Sequence, residues 1–193
     1  MLSELAFVDA ARHLLADEDE RKESELLMVA ATSSVDVRWQ MQLKTLRVLA
    51  ERLPAILDPN EQQDKALASS VEKLCKLLLK KLKKSSVKIG VRQAIGNVFM
   101  CLARSSTGLV TSSDGETNVQ IECIKSALEV CINLLSKSSG DNATSLDGLK
   151  FIGILIECGV ACAASLGVSA LDSLSQLFRC CLQNLEVSSG VIK

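Results

Sequence analysis

Eight cysteines and one histidine offer the widest scope for metal or nucleophilic chemistry in this 193-residue chain. Cys158 and Cys162 are four apart, so a helix would set both thiols on one face, and the pair Cys180-Cys181 follows. Zinc sites, however, place Cys-x-x-Cys-type pairs in polar knuckles, often with histidine. These two pairs, and Cys75, Cys101, Cys123 and Cys131, fall in apolar helical runs, and His13 lies far off in sequence. They read as small core hydrophobes. The N-terminus, MLSELAFVDAARHLLADEDE, has no basic region followed by a long apolar stretch, so the thiols are expected to be reduced. No Gly-rich phosphate loop or nucleophile elbow occurs. The residues therefore predict no enzyme, no metal, no cofactor and no small-molecule substrate.

The densest charge is basic. The run KLCKLLLKKLKKSSVKIGVR carries Lys73, Lys76, Lys80, Lys81, Lys83, Lys84, Lys88 and Arg92 around one helix end and the turn after it. Cations there suit the helix dipole, so a solvated, well-capped helix end accounts for them. Acting together, Lys80, Lys81, Lys83, Lys84, Lys88 and Arg92 would also dock an acidic protein segment, an anionic membrane or a nucleic-acid backbone. No aromatic residue interleaves the lysines, which disfavours base stacking. The formal net charge of −1 supplies no global field toward nucleic acid or membrane. The expected partner is another protein with an acidic segment; an anionic membrane is the alternative, and nucleic acid comes last. The opposite charge clusters at Asp17, Glu18, Asp19, Glu20, Glu23 and Glu25, which suits a helix N-terminus or a basic partner.

The elements that position these residues are helices. Only two prolines (Pro54 and Pro59), no tyrosine and no period-two apolar alternation argue against sheet. Eight helices are expected. The first runs from about Ser3 to Ala16, and Asp19 caps a second through about Ala31. The third starts after Ser34, with the stripe Trp39, Leu43, Leu46, Ala50 and Leu53, and Pro54 ends or kinks it. Asn60 caps the fourth, with Leu67, Val71, Leu74, Leu78 and Leu82. The fifth follows Ser86 and carries Val91, Ile95, Val98 and Leu102, with Phe99 as core. The sixth carries Ile121, Ile124, Leu128, Cys131 and Leu135. Gly167 ends the seventh, and the eighth presents Leu171, Leu174, Phe178, Cys181 and Leu185. Polar, turn-forming stretches near 105–118 and 138–147 read as flexible loops. The run from Phe151 to Leu171 approaches membrane-spanning length, but Glu157 interrupts it and its neighbours are amphipathic, so a buried helix is expected.

Two phrases repeat: SSVDVRWQMQLKTLRVLAERL from Ser33, and KKSSVKIGVRQAIGNVFMCLAR from Lys83. Each reads as a tight turn in which serine caps the next helix, valine enters the core, and arginine reaches the neighbouring pair. Asp36-Val37-Arg38 and Val91-Arg92-Gln93-Ala94 resemble the opening of the second helix in a HEAT/armadillo repeat. Lys88 stands where that pattern has an acidic residue, and a third pair, about Val119–Leu166, lacks Val-Arg. The spacing between the phrases exceeds the HEAT unit of about 40–47 residues. The likeness spans residues 20–187 by architecture and two short phrases by motif.

The resemblance implies one all-helical domain over residues 1–193, a short solenoid of stacked antiparallel helix pairs and part of a longer repeat array. A compact irregular helical bundle is the alternative. The function it implies is a non-enzymatic scaffold or adaptor that binds another protein in the cytoplasm, with the nucleus as the other location.

Overall fold

The computed structural model describes residues 2–16, 35–57, 65–106, 118–137 and 146–190. Among these the chain is all-α, with no strand. The helices are α1 (Leu2–Leu15), α2 (Val35–Ile56), α3 (Lys65–Lys83), α4 (Ile89–Ser105), α5 (Val119–Lys137), α6 (Leu146–Leu166) and α7 (Leu171–Gly190). A 3-10 turn, Gly167–Ala170, joins the last two. The expected second helix, the acidic cluster, Ser34 and Asn60 lie outside the described residues. So does most of both expected loops; at their margins, Ser105 ends α4, and Leu146 and Asp147 open α6.

The helices fall into two rows. In one, α3 packs between α1 and α5, and α5 packs on α7. In the other, α4 packs between α2 and α6. Across the rows, α1 meets α2, α3 meets α4, and α6 meets both α5 and α7. The five residues between α3 and α4 force a tight helical hairpin.

Periodicity explains most of what is buried. Every member of the α3 stripe (Leu67, Val71, Leu74, Leu78, Leu82) and of the α4 stripe (Val91, Ile95, Val98, Leu102) is buried. In α5, Ile124, Leu128, Cys131 and Leu135 are buried and Ile121 is half-buried. Burying each such leucine or isoleucine contributes about 1.5–3 kcal/mol. In α2, Leu46, Leu49 and Leu53 form the buried face. Trp39, expected in the core, is half-buried instead, with the Lys88 ammonium 4.8 Å from its ring centroid. Pro54 does not end α2. It sits in the final turn, and Leu57 N donates to Leu53 O at 3.1 Å.

The turn before α4 differs from the expected serine cap. Ser85 and Ser86 lie at the centre of a turn closed by Val87 N donating to Lys84 O at 3.3 Å. Lys88 is the N-cap residue, and no side chain caps the helix. Val91 is buried, as the phrase predicts.

The last stripe is met only in part: Leu174 and Cys181 pack on the core, Leu171 and Phe178 do not, and Leu185 lies outside the residues whose side chains are described. Leu171 and Phe178 are each 57% exposed and Leu182 is 60% exposed, while Leu174 and Cys181 are half-buried. The buried face of α7 centres on Leu177 and Cys180, continuing Ala170. Gly159 in α6 makes room for it: an added Cβ there would lie 2.9 Å from Leu177 Cδ1.

Gly96 marks a close approach of α4 and α6, where an added Cβ would stand 2.6 Å from Ile154 Cγ2. Gly96→Ala is expected to destabilise the fold by about 1–3 kcal/mol through overpacking. Ile154→Ala removes the opposing methyl, so the double variant should be less destabilised than the sum of the two singles. Urea unfolding of the four proteins checks this, and strict additivity would refute the steric account.

Candidate functional site

Six residues marked a docking site in the sequence, and the structure divides them. α3 and α5 lie side by side and leave a hollow of about 510 Å³ between them. Lys76, Lys80, Lys83 and Lys84 line its α3 wall, and Ser126 and Glu129 its α5 wall. Lys80 and Lys83 are exposed and Lys84 is half-buried. Four cations on one wall arise because 76, 80, 83 and 84 fall at helical spacing, one face away from the buried stripe.

Lys81 is elsewhere. It is 2% exposed, because it stands three residues after Leu78 and seven after Leu74, on the apolar stripe itself. Lys88 lies over Trp39 of α2, and so faces the other row. Arg92 is built into the fold: its Nε donates to Leu82 O at 3.0 Å, beyond the reach of the intrahelical ladder of α3. Its guanidinium stacks 3.6 Å from the centroid of Phe151 in α6. Burial lowers the Arg92 pKa from its ordinary value, yet arginine stays charged. That one side chain thus fastens α3, α4 and α6, the reach to the neighbouring pair that the Val-Arg phrase predicts.

Two further hollows flank the lysine wall. One, of about 350 Å³, is lined by Lys83, Arg92, Lys137, Asp147 and Phe151. The other, of about 360 Å³, is lined by Glu72, Cys75, Lys76, Glu122 and Cys123. Lys76 Nζ bonds Glu72 Oε1 at 2.5 Å, and that bond holds the Glu72 carboxyl below and the Lys76 ammonium above their usual ranges. Lys125 pairs with Glu122 at 2.8 Å. The carboxylates beside Cys75 are therefore partly answered locally, and in the lysine-lined hollow Lys76, Lys80, Lys83 and Lys84 outnumber Glu129. Sequence reasoning found the lysines but not the groove, since which helix lies beside α3 is not written in α3.

The amide of Gln120 was also missed. It is buried, and its Nε2 donates to Leu102 O at 3.1 Å and Ser105 Oγ at 2.9 Å, which closes the end of α4. Asn118 Oδ1 accepts from Gln120 N at 2.9 Å and caps α5. An Asn three residues before the apolar stripe that opens at Ile121 was the available signal.

All eight cysteines are free thiols. Cys75, Cys123, Cys131, Cys158, Cys162 and Cys180 are buried, and Cys101 and Cys181 are half-buried. A bond with Cys123, and then burial, push the Cys75 thiol well up. Cys131 and Cys162 are pushed up by their bonds to Cys158 and by burial. Thiol titration should therefore find Cys101 and Cys181 reacting first in dilute protein, and the other six only on unfolding. Rapid loss of more than two thiols from folded protein would contradict this packing. His13 is exposed in the last turn of α1. Among the described residues no group of three or more His, Cys, Asp or Glu is placed to hold a metal ion.

The run Leu146–Gln183 is long and apolar enough to cross a membrane by length and composition alone. It is broken at Gly167, whose φ of 59° ends α6, and α6 packs against α4, α5 and α7. Glu157, midway along α6, is exposed. Comparison with known proteins adds no assignment to this geometry: no family model, no curated protein and no solved structure matches the chain.

Proposed function

We propose that this chain is a non-enzymatic helical-repeat scaffold of the HEAT/armadillo kind, which binds another protein by holding an acidic segment in the groove between α3 and α5. The observation that carries the reading is the placement of Lys76, Lys80, Lys83 and Lys84 along one wall of a hollow of about 510 Å³. A groove of that kind takes an extended side-chain-rich segment, and aligned ammonium groups favour carboxylates over neutral chains. The order of packing supports the solenoid: helices alternate between two rows, and each row advances by one helix per pair.

The test is fluorescence anisotropy with a labelled peptide of alternating glutamate and serine, at low and at physiological salt, beside vesicles containing phosphatidylserine. The scaffold reading expects saturable peptide binding that weakens with salt, with little vesicle binding at physiological salt. Vesicle binding without peptide binding would overturn it in favour of the membrane adaptor.

A further inference from the structure

We infer that the hollow where α3 and α5 end and α4 and α6 begin receives the phosphate of a phosphorylated side chain, carried by the same acidic segment that lies in the groove. This hollow, of about 350 Å³, adjoins the lysine-lined one, and Lys83 belongs to both. A segment leaving the groove past Lys83 therefore enters it. The phosphate site rests on the groove reading for this approach alone. Lys83 and Lys137 are the last residues of α3 and α5, Arg92 stands near the start of α4, and Asp147 lies in the first turn of α6.

Charge and geometry select the ligand. Three cations, Lys83, Arg92 and Lys137, share the hollow with one carboxylate, Asp147, a surplus of two positive charges. A phosphate monoester carries about 1.5–2 negative charges at neutral pH, and so matches that surplus better than a single carboxylate does. Among the described residues Lys83, Lys137 and Asp147 take part in no ion pair. Arg92 is fixed before any ligand arrives. Leu82 O holds its Nε, and the Phe151 ring holds the flat face of its guanidinium. Those contacts leave its two terminal nitrogens without a hydrogen bond among the described residues. Paired N–H groups of this kind bind two oxygens of one phosphate. A side chain already held in place also loses little freedom on binding.

Fluorescence anisotropy of the whole chain at physiological salt tests this with two labelled peptides. One alternates glutamate and serine, and the other is the same peptide with one serine near its middle phosphorylated. The phosphorylated peptide should bind at least about tenfold more tightly. Lys137 lines this hollow and not the groove, and it is exposed, so Lys137→Gln should keep its far-UV circular dichroism. That variant should cut the advantage of the phosphate by about fivefold and leave the unphosphorylated peptide within about twofold of the original. Lys80 lines the groove and not this hollow. Lys80→Gln should therefore weaken both peptides alike, keeping their ratio within about twofold. A phosphate that adds no more than about threefold, or an advantage that survives Lys137→Gln, overturns the inference and leaves the groove standing. Phosphopeptide bound through Lys137 while the unphosphorylated peptide fails to bind keeps the phosphate site and refutes the groove. Binding of neither peptide overturns both. Phosphoinositide vesicles bound through Lys137 in place of the phosphopeptide overturn it in favour of a lipid headgroup.

Discussion

Replacing Phe99 by alanine is expected to lower the unfolding free energy by about 3–5 kcal/mol. Phe99 is fully buried in the middle of α4, and α4 is the helix touched by α2, α3, α5 and α6. Removing the ring takes away its transfer free energy and leaves a cavity. The helix it lies on packs against four others, so the shift of one of them does not close the space. A domain of this size is stable by about 5–15 kcal/mol, so the change consumes a large part of the whole. Urea unfolding followed by circular dichroism measures it as a lower midpoint at unchanged slope. Phe178→Ala is the matched control. Phe178 is 57% exposed, and its loss should stay within about 1 kcal/mol. Equal effects at the two positions would mean that α4 is not the centre of the packing.

The second large effect concerns binding. Lys80→Gln, Lys83→Gln and Lys84→Gln together should weaken binding of the acidic peptide by about a hundredfold. Each ammonium in such an array contributes on the order of 1 kcal/mol against an anionic surface, and about 1.4 kcal/mol is a factor of ten. Glutamine keeps helix propensity, so the fold should be retained. Lys81→Gln separates this from a general loss of charge. Lys81 lies inside, so its replacement should leave peptide affinity unchanged and appear in the unfolding midpoint instead. Binding that survives the triple change within about threefold at physiological salt would reduce the lysines to a capped helix end.

Much of this arrangement was legible from spacing alone. The stripes of α3 and α4 were fully readable because each of these helices is surrounded, so every apolar position on the face finds a neighbour. Lys81 was misplaced although its spacing from Leu74 and Leu78 put it on the stripe; charge outweighed register in the reading, where register decides burial. α7 was misread for the opposite reason. Its apolar residues run far round the helix, and periodicity does not tell that the core takes Leu177 and Cys180 fully, takes Leu174 and Cys181 in part, and leaves Leu171 and Phe178 exposed. The serine cap failed because Ser85 and Ser86 form the turn itself, which moves the helix start to Lys88 and Ile89. The groove and the Arg92 clamp on Phe151 join residues far apart in the chain, and local sequence carries no record of such contacts.

The two-row packing also bears on how the chain acquires its structure. Among the described residues, every sizeable helix–helix contact joins consecutive helices or next neighbours, from α1 on α2 to α6 on α7. The loops such contacts close are shorter than a contact between the two ends of the chain would need, which lowers their entropic cost. Nothing in the first half has to wait for the last. As a ribosome delivers the chain from its N-terminus, Leu46 of α2, Leu78 of α3 and Phe99 of α4 can be out of water before α7 has been made. The exposure of half-made chains to aggregation is correspondingly brief.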